Sequence, residues 1–206
     1  MVAQENIFSK SLLAGIAISI GCYLFLSSQI LGSLFFAICL IAIAALDLNL
    51  FTFKACFISD GKDLRRLILV LILNTVAVSV VGALIGFSSD TLQYTADKII
   101  SSRLDSSYLS IAISSTVTGF LMLISLDSEK FFHVKTYIPM ILCTAAIMVC
   151  DCCFSLADAF FYCASSITSS NILEVIAKFA TTVIFNFIGC NLYNIFIEKS
   201  IYNSMR

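Results

Sequence analysis

Long stretches of this 206-residue chain carry no formal charge: residues 11–46, 67–89, 106–126, 136–150, 159–173 and 179–197 contain no Asp, Glu, Lys or Arg. A helix needs about 20 apolar residues to cross a hydrocarbon core of about 30 Å. Three of the runs fit one crossing each. The first is too long for one and is dented by Ser27, Ser28 and Gln29, with Gly32 just after. That pattern predicts a hairpin, one helix ending near Leu26 and the next starting near Ile30. The stretch 136–164 makes a fifth crossing if it holds Asp151 and Asp158 inside it, and a sixth runs from Asn171 to Ile197.

The expected segments are about 10–28, 31–58, 65–88, 106–126, 136–164 and 171–197, with a polar loop at about 89–105. Continuous apolar runs exclude a membrane β-barrel, whose strands alternate over roughly ten residues. Composition excludes a water-soluble domain. Such domains are about 45–50% apolar and about 25% charged, whereas this chain is 60% hydrophobic and 12% charged, with a mean hydropathy of +1.01. The reading is a single all-α integral membrane domain over 1–206.

Basic residues in short loops set orientation. With the N-terminus inside, Lys10, Lys62, Arg65, Arg66, Lys130, Lys135, Lys199 and Arg206 fall on the cytoplasmic side, and Lys98 and Arg103 on the other. This predicts both termini in the cytoplasm, in the plasma membrane, with the first helix retained as an anchor. The net charge of −1 and the lack of a basic stripe give no support for a nucleic-acid partner. The single proline, Pro139, falls in the first turns of segment five, where a missing donor costs least. Gly82 and Gly86 form a small-xxx-small pair suited to close helix packing. Glu174 and Lys178 are spaced for an i, i+4 ion pair.

Segments two and five are longer than a crossing requires, and both carry charge inside. Segment two holds Asp47, Asn49, Thr52 and Lys54; segment five holds Asp151 and Asp158. They occupy corresponding places in two three-helix halves, about 10–88 and 106–197. Paired interrupted segments in corresponding positions point to an inverted repeat with a midplane pathway, and irregular backbone at that depth is tolerated where it lines a cavity or is buried in protein. Intramembrane ionisable groups mark such pathways. The plainer alternative is that Asp151 and Asp158 lie near an interface or pair with Lys54 or another base.

Nine cysteines raise a redox or metal reading. Cys150, Cys152 and Cys153 form CDCC, and Cys150 with Cys153 has the spacing of a thiol oxidoreductase pair. No exposed loop supplies the partner cysteines such an enzyme would use; the others lie in apolar segments, where free Cys behaves as a small hydrophobe. Metal ligation has one histidine to draw on, His133. No HExxH, GxSxG or paired-glutamate motif is present. The expectation is a non-enzyme with no cofactor and no metal.

Four stretches together resemble the formate/nitrite transporter family. KSLLAGIAISIG (10–21) is similar to the family's first helix. NLFTFK (49–54) resembles the broken second helix, usually Glu-Leu-Phe-Thr-Gly-Asn. SLADAFFY (155–162) is similar to the broken fifth helix, where Gly-Phe-Glu-His precedes an Ala-Asn or Ala-Asp pair. FNFIGCNLY (185–193) resembles the sixth. Order and spacing are kept over almost the whole chain.

The resemblance implies an aquaporin-like fold of six helices in two inverted three-helix repeats, assembled as a homopentamer in a lipid bilayer with a pore in each protomer. It implies passage of small monovalent weak-acid anions such as formate, nitrite, lactate or hydrosulfide. In the family a histidine on the fifth helix faces a threonine from the second-helix loop and neutralises the anion with a proton. Carried over, Thr52 matches the loop threonine, Asp158 the Asn/Asp position, Phe51 a constriction, and Arg103 stands near the vestibule lysine. Phe154 stands where the histidine belongs, with Cys153 in place of glutamate, Asn49 in place of the second-helix glutamate and Phe53 in place of a glycine. Phenylalanine relays no proton, so the expectation is altered selectivity with Asp151 or Asp158 as the ionisable group. The alternatives are a non-conducting structural or regulatory homologue and a thiol enzyme using Cys150 and Cys153.

Overall fold

In the computed structural model, which describes residues 2–57, 61–127, 137–167 and 171–193, the apolar runs are helices and two of them are broken. His133, Lys130, Lys135, Lys199, Arg206 and the end of the sixth segment lie outside the described residues. The elements are α1 (Val2–Ser28), α2 (Ile30–Ala45), α3 (Phe51–Ala55), α4 (Gly61–Ser88), α5 (Asp90–Asp105), α6 (Tyr108–Leu126), α7 (Tyr137–Val149), α8 (Ser155–Ala164) and α9 (Ile172–Tyr193). Among the described residues, four helices are long and apolar enough to cross a bilayer: Asn6–Ser28, Gly61–Ser88, Tyr108–Leu126 and Ile172–Leu192. The two remaining segments are α2 with α3 and α7 with α8, each a longer apolar helix followed by a short one.

The hairpin expected near residues 27–32 is present. Gln29 alone, at φ 36°, separates α1 from α2. A Cβ at Gly32 would come within 2.3 Å of the Leu24 carbonyl oxygen, so only glycine lets the second helix turn back this closely. Side chains that water would not hold line the outer faces, among them Val80, Leu84, Ile113, Val117 and Ile184, all more than 40% exposed. A bilayer accepts such faces and water does not.

Residues 89–105 are not the loop expected from their polarity. Ser89 caps α5 by accepting from the Leu92 N–H. Leu92, Ala96, Ile99, Ile100 and Leu104 recur at helical spacing and pack on the core. The charges that suggested a loop are the other face of this amphipathic helix, with one exception, Arg103, which is buried. Since α4 ends and α6 begins beside it, α5 lies at one membrane surface, outside the spanning segments. Lys178, 3% exposed at its side chain, donates to the carbonyls of Arg103, Leu104 and Ser106 at the α5 C-terminus and pairs with Glu174 at 2.8 Å. The i, i+4 pair thus forms, with its cation set against the negative end of a helix dipole.

Gly82 and Gly86 pack inside the protomer. A Cβ at either would come within 2.5 Å of a carbonyl oxygen of α8, that of Phe160 or Ala164. In the other half, Gly119 and Gly189 seat α6 against α9 in the same manner.

Candidate functional site

Both broken segments stop by the same device. At the end of α2, Asp47 adopts φ 47°, its N–H donating to the Ala44 carbonyl and that of Leu48 to Ile43. At the end of α7, Asp151 adopts φ 52°, its N–H donating to Met148 and that of Cys152 to Ile147. Each is a Schellman ending with aspartate in the left-handed position usually given to glycine or asparagine. The two residues are 104 positions apart.

The chain then runs extended through Leu50 or Phe154 into a short helix whose first N–H is capped from another helix. Asn74 of α4 accepts from the Phe51 N–H at 2.8 Å and donates to the carbonyls of Ser11 and Asn49. Asn186 of α9 accepts from the Ser155 N–H at 2.9 Å and donates to the carbonyls of Ser115 and Cys153. Residues 11, 49 and 51 correspond to 115, 153 and 155 at the same offset of 104. Both amides are fully buried, and each makes three hydrogen bonds to backbone that water cannot reach. These two asparagines escaped the sequence reading. Their signal was an amide within an uncharged apolar run.

The expected site residues fall into three places. At the first break Lys54 and Lys10 share Asp47, at 3.4 and 2.8 Å. A cavity there is lined by Ile7, Asn49, Lys54, Asp63, Arg66 and Val70. At the second break Arg103 gathers Asp151 (Nη2 to Oδ1, 2.9 Å), Asp158 (Nε to Oδ1, 3.4 Å) and the Asp151 and Cys152 carbonyls. A recess there is lined by Phe25, Arg103, Met148, Asp151, Asp158 and Phe161. Neither acid pairs with Lys54. Asp158 is 1% exposed and its Oδ2 has no hydrogen-bond partner among the described residues, whereas Asp151 is exposed. Ile7 and Phe25 lie eighteen residues apart on α1. At 1.5 Å per residue the two cavities are about 27 Å apart along that helix, at opposite ends of the bundle.

The third place is the layer between. Leu50, Phe51, Thr52 and Phe154 are each at most 3% exposed. Phe154 stands edge-on to Phe36, with ring centroids 6.0 Å apart. The Thr52 hydroxyl is buried and without a hydrogen-bond partner among the described residues, as is that of Ser155. Cys153 is buried and Cys150 exposed, which divides the CxxC pair between interior and surface. No cluster of three metal-ligating side chains occurs among the described residues.

The architecture has solved counterparts. A pentameric formate channel with formate bound superposes with a TM-score of 0.79 at 16% identity, over 97% of this chain and 98% of that one. The fold is that of this channel. An ion channel of the FNT family matches with a TM-score of 0.74 at 13% identity, over 97% of this chain and 90% of that one. No protein-family model and no curated protein matches the sequence.

Proposed function

We propose that the chain is a divergent member of the formate/nitrite transporter family, a channel for small monovalent weak-acid anions, and not an enzyme. In this reading the whole chain is one membrane domain, its halves 10–88 and 106–197 form the inverted repeat, and five protomers assemble in the plasma membrane with both termini cytoplasmic. The observation that carries it is the pair of equivalent breaks, each clamped by an asparagine and each opening to a cavity at an opposite end of α1. Broken helices whose freed backbone is held by protein are how a membrane fold builds a pathway at its middle.

The pathway runs from the Lys10–Asp47–Lys54 mouth, past Asn49, Phe51 and Thr52, across Phe154, to Asp158, Asp151 and Arg103. The cationic first mouth draws an anion in. Phe154 removes the histidine that would neutralise it, leaving Asp158 as the buried group able to carry a proton. Selectivity is altered accordingly, toward solutes that cross an apolar layer without meeting an imidazole. Packing of Phe154 on Phe36 supports a second reading, a non-conducting homologue that keeps the scaffold as a structural or regulatory protein.

The test is stopped-flow flux of formate, nitrite, lactate and hydrosulfide into proteoliposomes over a pH series, with Phe154→His beside the wild type. Flux above empty liposomes in the wild type supports the channel. Flux in Phe154→His alone marks a scaffold that has lost its proton step. No flux in either removes the transport reading.

A further inference from the structure

Where α3 meets α9, the two halves differ in one chemical respect. Cys56 follows α3 and donates its thiol to the Thr52 carbonyl at 3.2 Å; Cys190 on α9 donates to the same oxygen at 3.6 Å. Sharing that one acceptor keeps the two sulfurs within about 7 Å of each other. They are 1% and 0% exposed and come from segments 134 residues apart. By the offsets of 104 and 112 that relate the halves, the corresponding positions are Phe160 and Val78, which carry no sulfur. The pair therefore joins the two halves at only one of the two equivalent places and is not demanded by the fold.

We propose that Cys56 and Cys190 form a redox-sensitive pair, closing to a disulfide that ties the broken second segment to α9. With a peroxide as the oxidant, one thiol is converted to a sulfenic acid with release of one water. The second sulfur then displaces the sulfenic oxygen as a second water and completes the S–S bond; both sulfurs are oxidised and the peroxide is reduced. The product is neutral. That favours it here over a soft metal, because a bis-thiolate site would bury negative charge against the Thr52 carbonyl, itself the negative end of a dipole. Closing the bond takes both donors from the Thr52 carbonyl and fixes Thr52 against α9. Cys150 and Cys163 are exposed, and neither is seen to share an acceptor with a second thiol among the described residues. This inference stands apart from transport and holds whether or not the protein conducts.

The test treats the folded protein in detergent with hydrogen peroxide, then blocks remaining thiols under denaturing conditions and maps linked peptides by mass spectrometry. The expected result is a Cys56–Cys190 peptide as the major linked species, absent in Cys56→Ser and in Cys190→Ser. A rise of about 5–10 °C in the unfolding midpoint of the oxidised wild type should accompany it, since the bridge closes a very long loop. The inference is overturned if Cys56 and Cys190 remain alkylatable after Cys150 and Cys163 have been consumed. It is overturned equally if the sulfurs link to other partners.

Discussion

Lys54 and Asp158 occupy equivalent positions, each seven residues after an aspartate in left-handed conformation, and carry opposite charge. The first break therefore holds two cations around one carboxylate, Lys10 and Lys54 about Asp47, and the second holds two carboxylates around one cation, Asp151 and Asp158 about Arg103. Burial separates the two triads further. Lys54 and Asp47 reach solvent, whereas the side chains of Arg103 and Asp158 are 7% and 2% exposed. Removing one partner of such a buried pair leaves a stranded charge, which costs about 3–5 kcal/mol. Arg103→Met should lose about that much in unfolding experiments in detergent. The double variant with Asp158→Leu should recover most of it, because no lone charge then remains. Asp151→Asn, at the exposed end of the same guanidinium, should cost less than about 1 kcal/mol. Additive losses in the Arg103/Asp158 cycle would show that the two side chains do not act as a pair.

Asn74 and Asn186 should be equally hard to replace. Leucine at either position fills a similar volume but leaves an N–H and two carbonyls without partners in a dry interior. Each buried unsatisfied group costs about 1–3 kcal/mol, partly relieved by local rearrangement, so about 2–4 kcal/mol is expected at each site. The same change at Asn191, which is half-buried and donates to Ala55 and Phe187, should cost less. Matched losses at 74 and 186, with a smaller one at 191, would confirm that the two amides clamp equivalent breaks. A large loss at only one would mean that the breaks are held differently.

Steric tolerance at glycine separates the helix seam from the surface. A Cβ at Gly119 would stand 2.1 Å from the Asn186 carbonyl oxygen and 2.8 Å from the Cys190 nitrogen, both backbone atoms that cannot swing away. Gly119→Ala must therefore push α6 off α9, and a sharp loss of folded yield is expected. Gly61 opens α4 with nothing among the described residues within 4 Å of its added carbon. Gly61→Ala should be neutral or stabilising by up to about 1 kcal/mol, the helix-propensity difference. Size-exclusion profiles of the two variants decide the matter.

What could be read from the sequence was whatever depended on neighbouring residues. The hairpin at Gln29 and Gly32 and the breaks at Asp47 and Asp151 announced themselves as polar residues in runs too long for one crossing. In α5 the charges point to a loop while the spacing of Leu92, Ala96, Ile99, Ile100 and Leu104 draws one helical face. The same polarity hides the burial of Arg103, and its partner Asp158 lies 55 residues away, a distance at which sequence pattern says nothing about contact. Asn74 and Asn186 carry no charge, and an amide among aliphatic residues looks incidental until the backbone it serves is seen. An intact helix would keep Asp151 and Asp158 on one face but about 10 Å apart along its axis, so their meeting on one guanidinium is visible only once the break is seen.

At the membrane surface, Asp97 fastens α5 to the end of α8. Its carboxylate accepts from the Ser165 hydroxyl at 2.6 Å and from the Ser166 N–H and hydroxyl, both at 2.8 Å. Partial burial pushes its pKa up, but these hydrogen bonds outweigh it and leave the group below the usual aspartate value. A carboxyl that titrates lower in the folded state than in the unfolded chain adds stability above the unfolded value of about 3.9, and that stability fades as pH falls through the folded value. The unfolding midpoint of the wild type should thus exceed that of Asp97→Asn by a constant margin from pH 7 to pH 5. Below about pH 4 the margin should shrink, because protonation gives the wild type the same neutral side chain. Solvent weakens the effect at so accessible a group, so the margin is expected to be small. A margin that persisted unchanged at pH 3 would mean that Asp97 does not hold α5 through its ionised form.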